Sequence, residues 1–306
     1  MRALGELALL LALCGAASCT STRSSPSANT IDAEQARSAP LFHGDGRSAS
    51  WSELVDAACA ADVVFVGENH GHPLGLAAAA ALFDDVLERE ARASLSMEFL
   101  ERDEQIFVDD YLSGVSSLEE FMKATGRTAS NFPPGHRAMV ESAKRASRQI
   151  HAANAPRRYV SLARREGYER LRELSFEQRR TLRVPDALIE GRYRDDFDRI
   201  MAPRGEEPSE ELRERLDAVY RSQQVWDWTM ARSVADALLA GERPVVHVVG
   251  NFHVNHRGGT VQALERELPG VRALVVSFVA ESSQALADEH RGRGDFVLYV
   301  GPSPQP

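Results

Sequence analysis

The sequence is short of cysteine, of aromatic side chains, of positive charge and of long hydrophobic runs, and each shortage removes a class of protein. Three cysteines in 306 residues cannot build a disulfide framework. Cys14 and Cys19 lie in an apolar leader, which leaves Cys59 alone in a small-residue helical stretch, as an inert thiol. With 36 Lys+Arg against 45 Asp+Glu the net charge is −9, so the basic footprint of a nucleic-acid binder is missing and no nucleic-acid partner is expected. No apolar run reaches the roughly 20 residues that span a bilayer. What remains is ordinary: 43% hydrophobic and 26% charged residues, a globular balance that excludes a disordered, collagen-like or coiled-coil chain. The length can bury a core without staples.

The N-terminus reads as a targeting segment. Arg2, the apolar stretch from Leu4 to Leu13 and the small residues before Cys19 form a signal peptide over 1–19. Small residues before a Cys resemble a bacterial lipobox, with Ala16 where a Leu usually stands, so Cys19 is the expected lipidation site. The Ser, Thr, Ala and Pro of residues 20–50 then serve as a flexible tether, and the folded domain is expected over 51–306. The expected localisation is exported and lipid-anchored to the bacterial membrane, at the outer membrane or the periplasmic face.

Apolar runs ended by polar residues recur along the domain: Asp62 to Gly67, Ser94 to Phe99, Gln149 to Asn154, Pro244 to Val249, Val271 to Phe278, and a last edge strand from Asp295 to Val300. Helical patterns separate them, including an Ala-rich stretch over 73–90 and one long helix over 208–240. Continuous apolar strands alternating with helices imply an α/β fold, a doubly wound, mostly parallel sheet with an inserted helical subdomain at about 157–240.

Sites in such sheets form outside the carboxyl ends of the strands. These ends read Gly67-Glu68-Asn69-His70-Gly71-His72, Met97-Glu98-Phe99, Asn154-Ala155-Pro156-Arg157 and Gly250-Asn251-Phe252-His253. Glu68, His70, Glu98 and His253 make an O/N set suited to a divalent metal such as Mn, Fe, Co or Zn, or to acid–base chemistry. Glu98 has Arg102 and Arg157 as alternative partners. Gln223 falls on the apolar stripe of the long helix near Trp226; it is either a bonded core amide or a group that orients a ligand, and Asn251 is a candidate oxyanion donor.

At these residues the chain resembles the ChaN-like haem-binding proteins, within the broader Tiki/TraB/erythromycin-esterase-like superfamily. The resemblance rests on Val66-Gly67-Glu68-Asn69-His70, Met97-Glu98 with Arg102-Asp103-Glu104-Gln105, Asn154-Ala155-Pro156-Arg157, Ser222 to Ala231 and Val248 to Val254. It implies a haem-binding lipoprotein of iron uptake, with a Tyr ligand to haem and pairing in a homodimer. The wider superfamily implies the alternative, a metal-dependent protease or esterase using Gly67-x-x-His70 and Glu98. No haem-ligand Tyr stands out among Tyr111, Tyr159, Tyr168, Tyr193 and Tyr220. His72, His136 and His256 are the imidazole candidates, and on the haem reading ligation is expected not to depend on Glu68 or His70. Asn154, Arg157, Gln223, Trp226 and Asn251 are the expected ligand-contacting residues.

Overall fold

A strand that is apolar on both faces must be covered on both faces, and the apolar runs of this chain pair into one seven-stranded sheet. The computed structural model describes residues 33–202 and 209–303; the expected signal segment and Cys19 lie outside them. The strands are β1 (Leu41–His43), β2 (Val63–Glu68), β3 (Ser94–Glu101), β4 (Ile150–Asn154), β5 (Val245–Gly250), β6 (Ala273–Val279) and β7 (Phe296–Tyr299), in the order β1-β7-β6-β2-β5-β3-β4. All pairings are parallel except β1 with β7.

Alternation along β2 sorts its side chains between two cores. Val64 and Val66 face one layer, with α1 (Ala33–Arg37), α2 (Trp51–Ala60), α3 (Pro73–Arg89), α4 (Gln105–Leu112), α5 (Leu118–Ala124) and α6 (Pro134–Arg145). Val63 and Phe65 face the other, which after α7 (Arg157–Arg172) and α8 (Phe176–Arg179) is built by α9 (Arg192–Met201), α10 (Glu210–Leu239) and α11 (Gly259–Glu267). The fold is thus a doubly wound α/β sheet. No helix among the described residues is long and apolar enough to cross a membrane.

Three expectations change. Residues 33–50 are not a tether where they are described: α1 packs against the core through Ala36, and Leu41 and Phe42 are buried in β1. β1 covers β7, so the 295–300 strand is not an edge. The long helix α10 is not part of an insertion either. It lays Trp228, Met230, Ala231, Val234 and Leu238 on the sheet, so the inserted helices narrow to 157–202, where α7 packs its own small core against Val225. Cys59 is half-buried, and burial raises its thiol pKa, as suits an inert side chain.

Candidate functional site

The strand order makes the site. β5 returns late in the chain and inserts between β2 and β3, so Glu68 pairs in register with Gly250, and Met97 pairs with Val248. The ends of β2, β5 and β3 become neighbours although they lie far apart in sequence. A register shift between Met97 and Glu101 then bulges β3 against β4, and such bulges re-aim side chains. The bulge lies where Glu98 leaves the ladder, and a Glu98 oxygen accepts the backbone N–H of Gly250 at 2.6 Å.

Two glycines make the close approach possible. A Cβ on Gly250 would stand 2.8 Å from His70 Nε2, and one on Gly67 would stand 2.6 Å from Asn251 Oδ1. Neither position has room for a larger residue without a shift.

Around this point acids and imidazoles alternate. Glu68 is buried; its two oxygens accept from His136 Nε2 at 2.8 Å and His70 Nδ1 at 2.9 Å. Burial alone would raise the Glu68 pKa, but the hydrogen bonds from His136 and His70 prevail and hold it at about 2. The bond to Glu68 in turn raises the His70 pKa against the effect of burial, with Glu98 adding to it. His70 Nε2 lies 3.9 Å from Glu98, beyond hydrogen-bond distance, on a side chain 66% exposed.

On the other side of Glu98, His253 Nε2 approaches it at 3.6 Å while His253 Nδ1 donates to Asp227 at 2.7 Å. Burial would lower the His253 pKa, yet the Asp227 and Glu98 charges raise it to about 9. Asp227 is fully buried and also accepts from Thr260 at 2.9 Å and Tyr193 at 2.7 Å.

A cleft of about 480 Å³ opens over the first half of this chain of groups, lined among others by Glu68, His70, Glu98, Phe99, Asn154 and Arg157. It brings together most of the strand-end residues read from the sequence. Arg157 extends from the rim with its side chain 87% exposed, 3.6 Å from Glu101. Arg102 is not a partner of Glu98; it donates to Ser233 and Asp236.

Other expectations are corrected. The divalent-metal set of Glu68, His70, Glu98 and His253 is not formed as a ligand set, and among the described residues no group of His, Cys, Asp and Glu is placed to hold a metal ion. The reason is prior commitment: both Glu68 oxygens are used, and His253 is buried with Nδ1 donating to Asp227 and Nε2 facing Glu98 at 3.6 Å. Asn251 ties strand ends together, donating to Asn69 and to Phe278 O, and accepting from Ser277; it is not a free oxyanion donor. Gln223 reaches His253 at 3.2 Å and Tyr193 at 3.1 Å rather than the cleft. Trp226 packs beside α7 with its indole N–H buried and unpaired.

The imidazoles proposed for haem are committed as well. His72 caps α3, accepting from Gly75 N–H while its Nε2 donates to Gly301 O. His256 donates to Gly292 O and accepts from Arg192. His136 holds Glu68, and its Nδ1 is buried without a partner. The hydroxyls of Tyr111, Tyr168, Tyr193 and Tyr220 donate to Glu141, Arg221 O, Asp227 and Ile189 O, and Tyr159 is buried under the Arg158 guanidinium.

Asp227 was not singled out by sequence reasoning, and Tyr193 was named there only among five possible haem-ligand tyrosines, not as a partner of Asp227. A signal for Asp227 was present: it stands one turn beyond Gln223 between two tryptophans, a charge in an apolar stretch that requires partners.

A family model described as haem-binding uptake, Tiki superfamily, ChaN, matches residues 54–264. Among solved structures, ChaN of Campylobacter jejuni with cofacially bound haem has a TM-score of 0.65 at 17% identity, covering 85% of this chain and 96% of that one. The type III effector HopBA1 has a TM-score of 0.46 at 14% identity, covering 82% and 92%. An erythromycin esterase in its open conformation has a TM-score of 0.44 at 13% identity, covering 82% and 79%. No curated protein sequence matches the chain.

Proposed function

We propose a haem-binding role from one premise: the chain belongs to the haem-binding uptake family of the Tiki superfamily that includes ChaN. The match over residues 54–264 is the observation that carries the reading, and the fold shared with ChaN supports it.

The cleft chemistry suits haem better than a bare divalent ion. A metal site built from protein alone needs three or four ligands. A porphyrin brings four nitrogens of its own, so its iron needs only one or two donors from the protein. The His70 ring, 66% exposed, presents an imidazole to the cleft it lines, and Arg157 and Asn154, which also line it, suit the propionates. Haem is here the cargo and supplies the iron. The chain's residues bind and orient it, and the Glu98 carboxylate favours the positively charged ferric form.

The test is a titration of the purified chain with haem, followed by Soret absorbance. A saturable change near one haem per chain is expected. Absorbance no different from that of free haem would overturn the reading.

Two finer parts rest on the sequence and the family. The chain is exported and lipid-anchored through Cys19; mass spectrometry of the membrane-extracted protein should find a diacylglyceryl-modified N-terminal Cys19, and an unmodified terminus would refute it. Two copies pair around haem in a homodimer; light scattering should show the mass double on haem addition.

A second reading is favoured by the His253–Asp227 pair and the Glu68-backed His70. The cleft then hydrolyses an ester or amide without a resident metal, with His70 as general base and Glu98 placed to steady the charge. Turnover of model esters that is lost in Glu98→Gln and unaffected by chelator would support it; no turnover across an ester and peptide screen would remove it.

A further inference from the structure

We propose that His70 is the axial ligand of haem iron in this chain, held in place by Glu68 and, behind it, His136. The inference rests on the haem-binding reading and assigns its iron ligand to a residue for which ligation was not expected.

Commitment of the alternatives comes first. An axial ligand needs a donor atom with an open lone pair facing space. Neither His72 nor His256 has a free ring nitrogen, His136 keeps its one free nitrogen buried, and His253 is nearly buried between Asp227 and Glu98. Four tyrosine hydroxyls are bonded away, and Tyr159 is buried. His70 differs from all of them. Its ring is 66% exposed, it lines the cleft, and Nε2 makes no hydrogen bond.

The support behind the ring is what a metal-bound imidazole uses. Such a histidine donates its other ring N–H to a carboxylate or carbonyl, which fixes the tautomer and raises the basicity of the ligating nitrogen. His70 Nδ1 donates to Glu68 at 2.9 Å, and Glu68 cannot swing away because His136 holds its second oxygen at 2.8 Å. The carboxylate is ionised and buried, so it supports the ring electrostatically in a medium of low dielectric. Gly250 completes the arrangement, since any Cβ there would crowd Nε2 at 2.8 Å. The ligand class is a metalloporphyrin, because a single protein nitrogen suffices only where the other equatorial ligands are already supplied.

The experiment uses the full chain loaded with haem, and reads optical and electron paramagnetic resonance spectra together with the resonance Raman spectrum of the reduced form. Wild type should give an imidazole-ligated signature. His70→Gly should lose it, and millimolar imidazole should restore it by entering the vacated space. Glu68→Gln should keep the ligand while weakening it, with a shifted iron–histidine stretch and about tenfold lower affinity. His256→Ala should match wild type. An unchanged spectrum in His70→Gly overturns the assignment while leaving haem binding intact. Failure of wild type to bind haem overturns the haem reading itself. If His70→Gly does not fold, the iron–histidine stretch of Glu68→Gln decides: no shift from wild type also refutes the assignment.

Discussion

Replacing Glu68 by Gln keeps the shape of the side chain and removes its charge, so the variant imitates wild type with Glu68 protonated. Folding holds this carboxyl at about 2, against an ordinary value of 4.5, because two imidazole donors outweigh the cost of burying it. A lowered carboxyl pKa stabilises the fold above the unfolded value, and that stability is lost as pH falls through the folded value. The difference of about 2.5 units corresponds to about 3 kcal/mol at pH 6, falling to about 1 kcal/mol at pH 3. The bond to Glu68 is also what raises the His70 pKa against burial, so the gap reports the Glu68–imidazole pair as a unit. The assay is urea unfolding of both proteins at several pH values between 6 and 3, followed by far-ultraviolet circular dichroism. The gap between wild type and Glu68→Gln should close as pH falls. A gap that is the same at pH 6 and pH 3 would refute the claim that an ionised, imidazole-bonded Glu68 stabilises this site.

Other outcomes follow from the same geometry. Gly250→Ala should lower the unfolding midpoint slightly, since the new Cβ pushes His70 against its bond to Glu68, and weaken haem binding by about tenfold; titration of the variant checks it. Haem affinity should rise with pH up to the raised His70 pKa and then level, because iron must displace the Nε2 proton; an affinity constant from pH 6 to 9 would count against His70. His253, pushed to about 9 by Asp227 and Glu98, stabilises the fold below the ordinary histidine value, and this is lost as pH rises through about 9. Asp227→Asn should therefore cost about 3 kcal/mol at neutral pH and flatten the loss of stability between pH 7 and 9, as measured by urea unfolding. Trp226→Phe should not alter the haem spectrum, because the residue packs in the small core of α7 and is not among those lining the cleft.

The strand ends were legible because burial leaves a plain mark. A parallel strand covered on both faces is a run of Val, Ile and Phe, and the first polar residues after it fall at one edge of the sheet. Glu68, His70, Glu98, Asn154 and Arg157 were found in this way, and the cleft collects them. Roles were harder to read. His72 and His256 look like His70 in sequence, but whether a ring nitrogen is free depends on carbonyls and guanidinium groups brought in by the fold. The Ser- and Pro-rich stretch before Trp51 gave no periodicity, since a strand as short as Leu41–His43 spans too few residues to show any.

The sequence by itself determined the α/β class, the order of strands and helices along the chain, and the polar residues that close each strand. These are local properties, set by hydrophobic period, capping and turn chemistry. Only the tertiary structure decided that β5 inserts between β2 and β3 and so sets Gly250 beside His70 and Glu98. It also decided that Asp227 reaches His253 and that His136 reaches Glu68 from α6. These two contacts join residues 26 and 68 positions apart, and no pattern confined to one segment of chain encodes them.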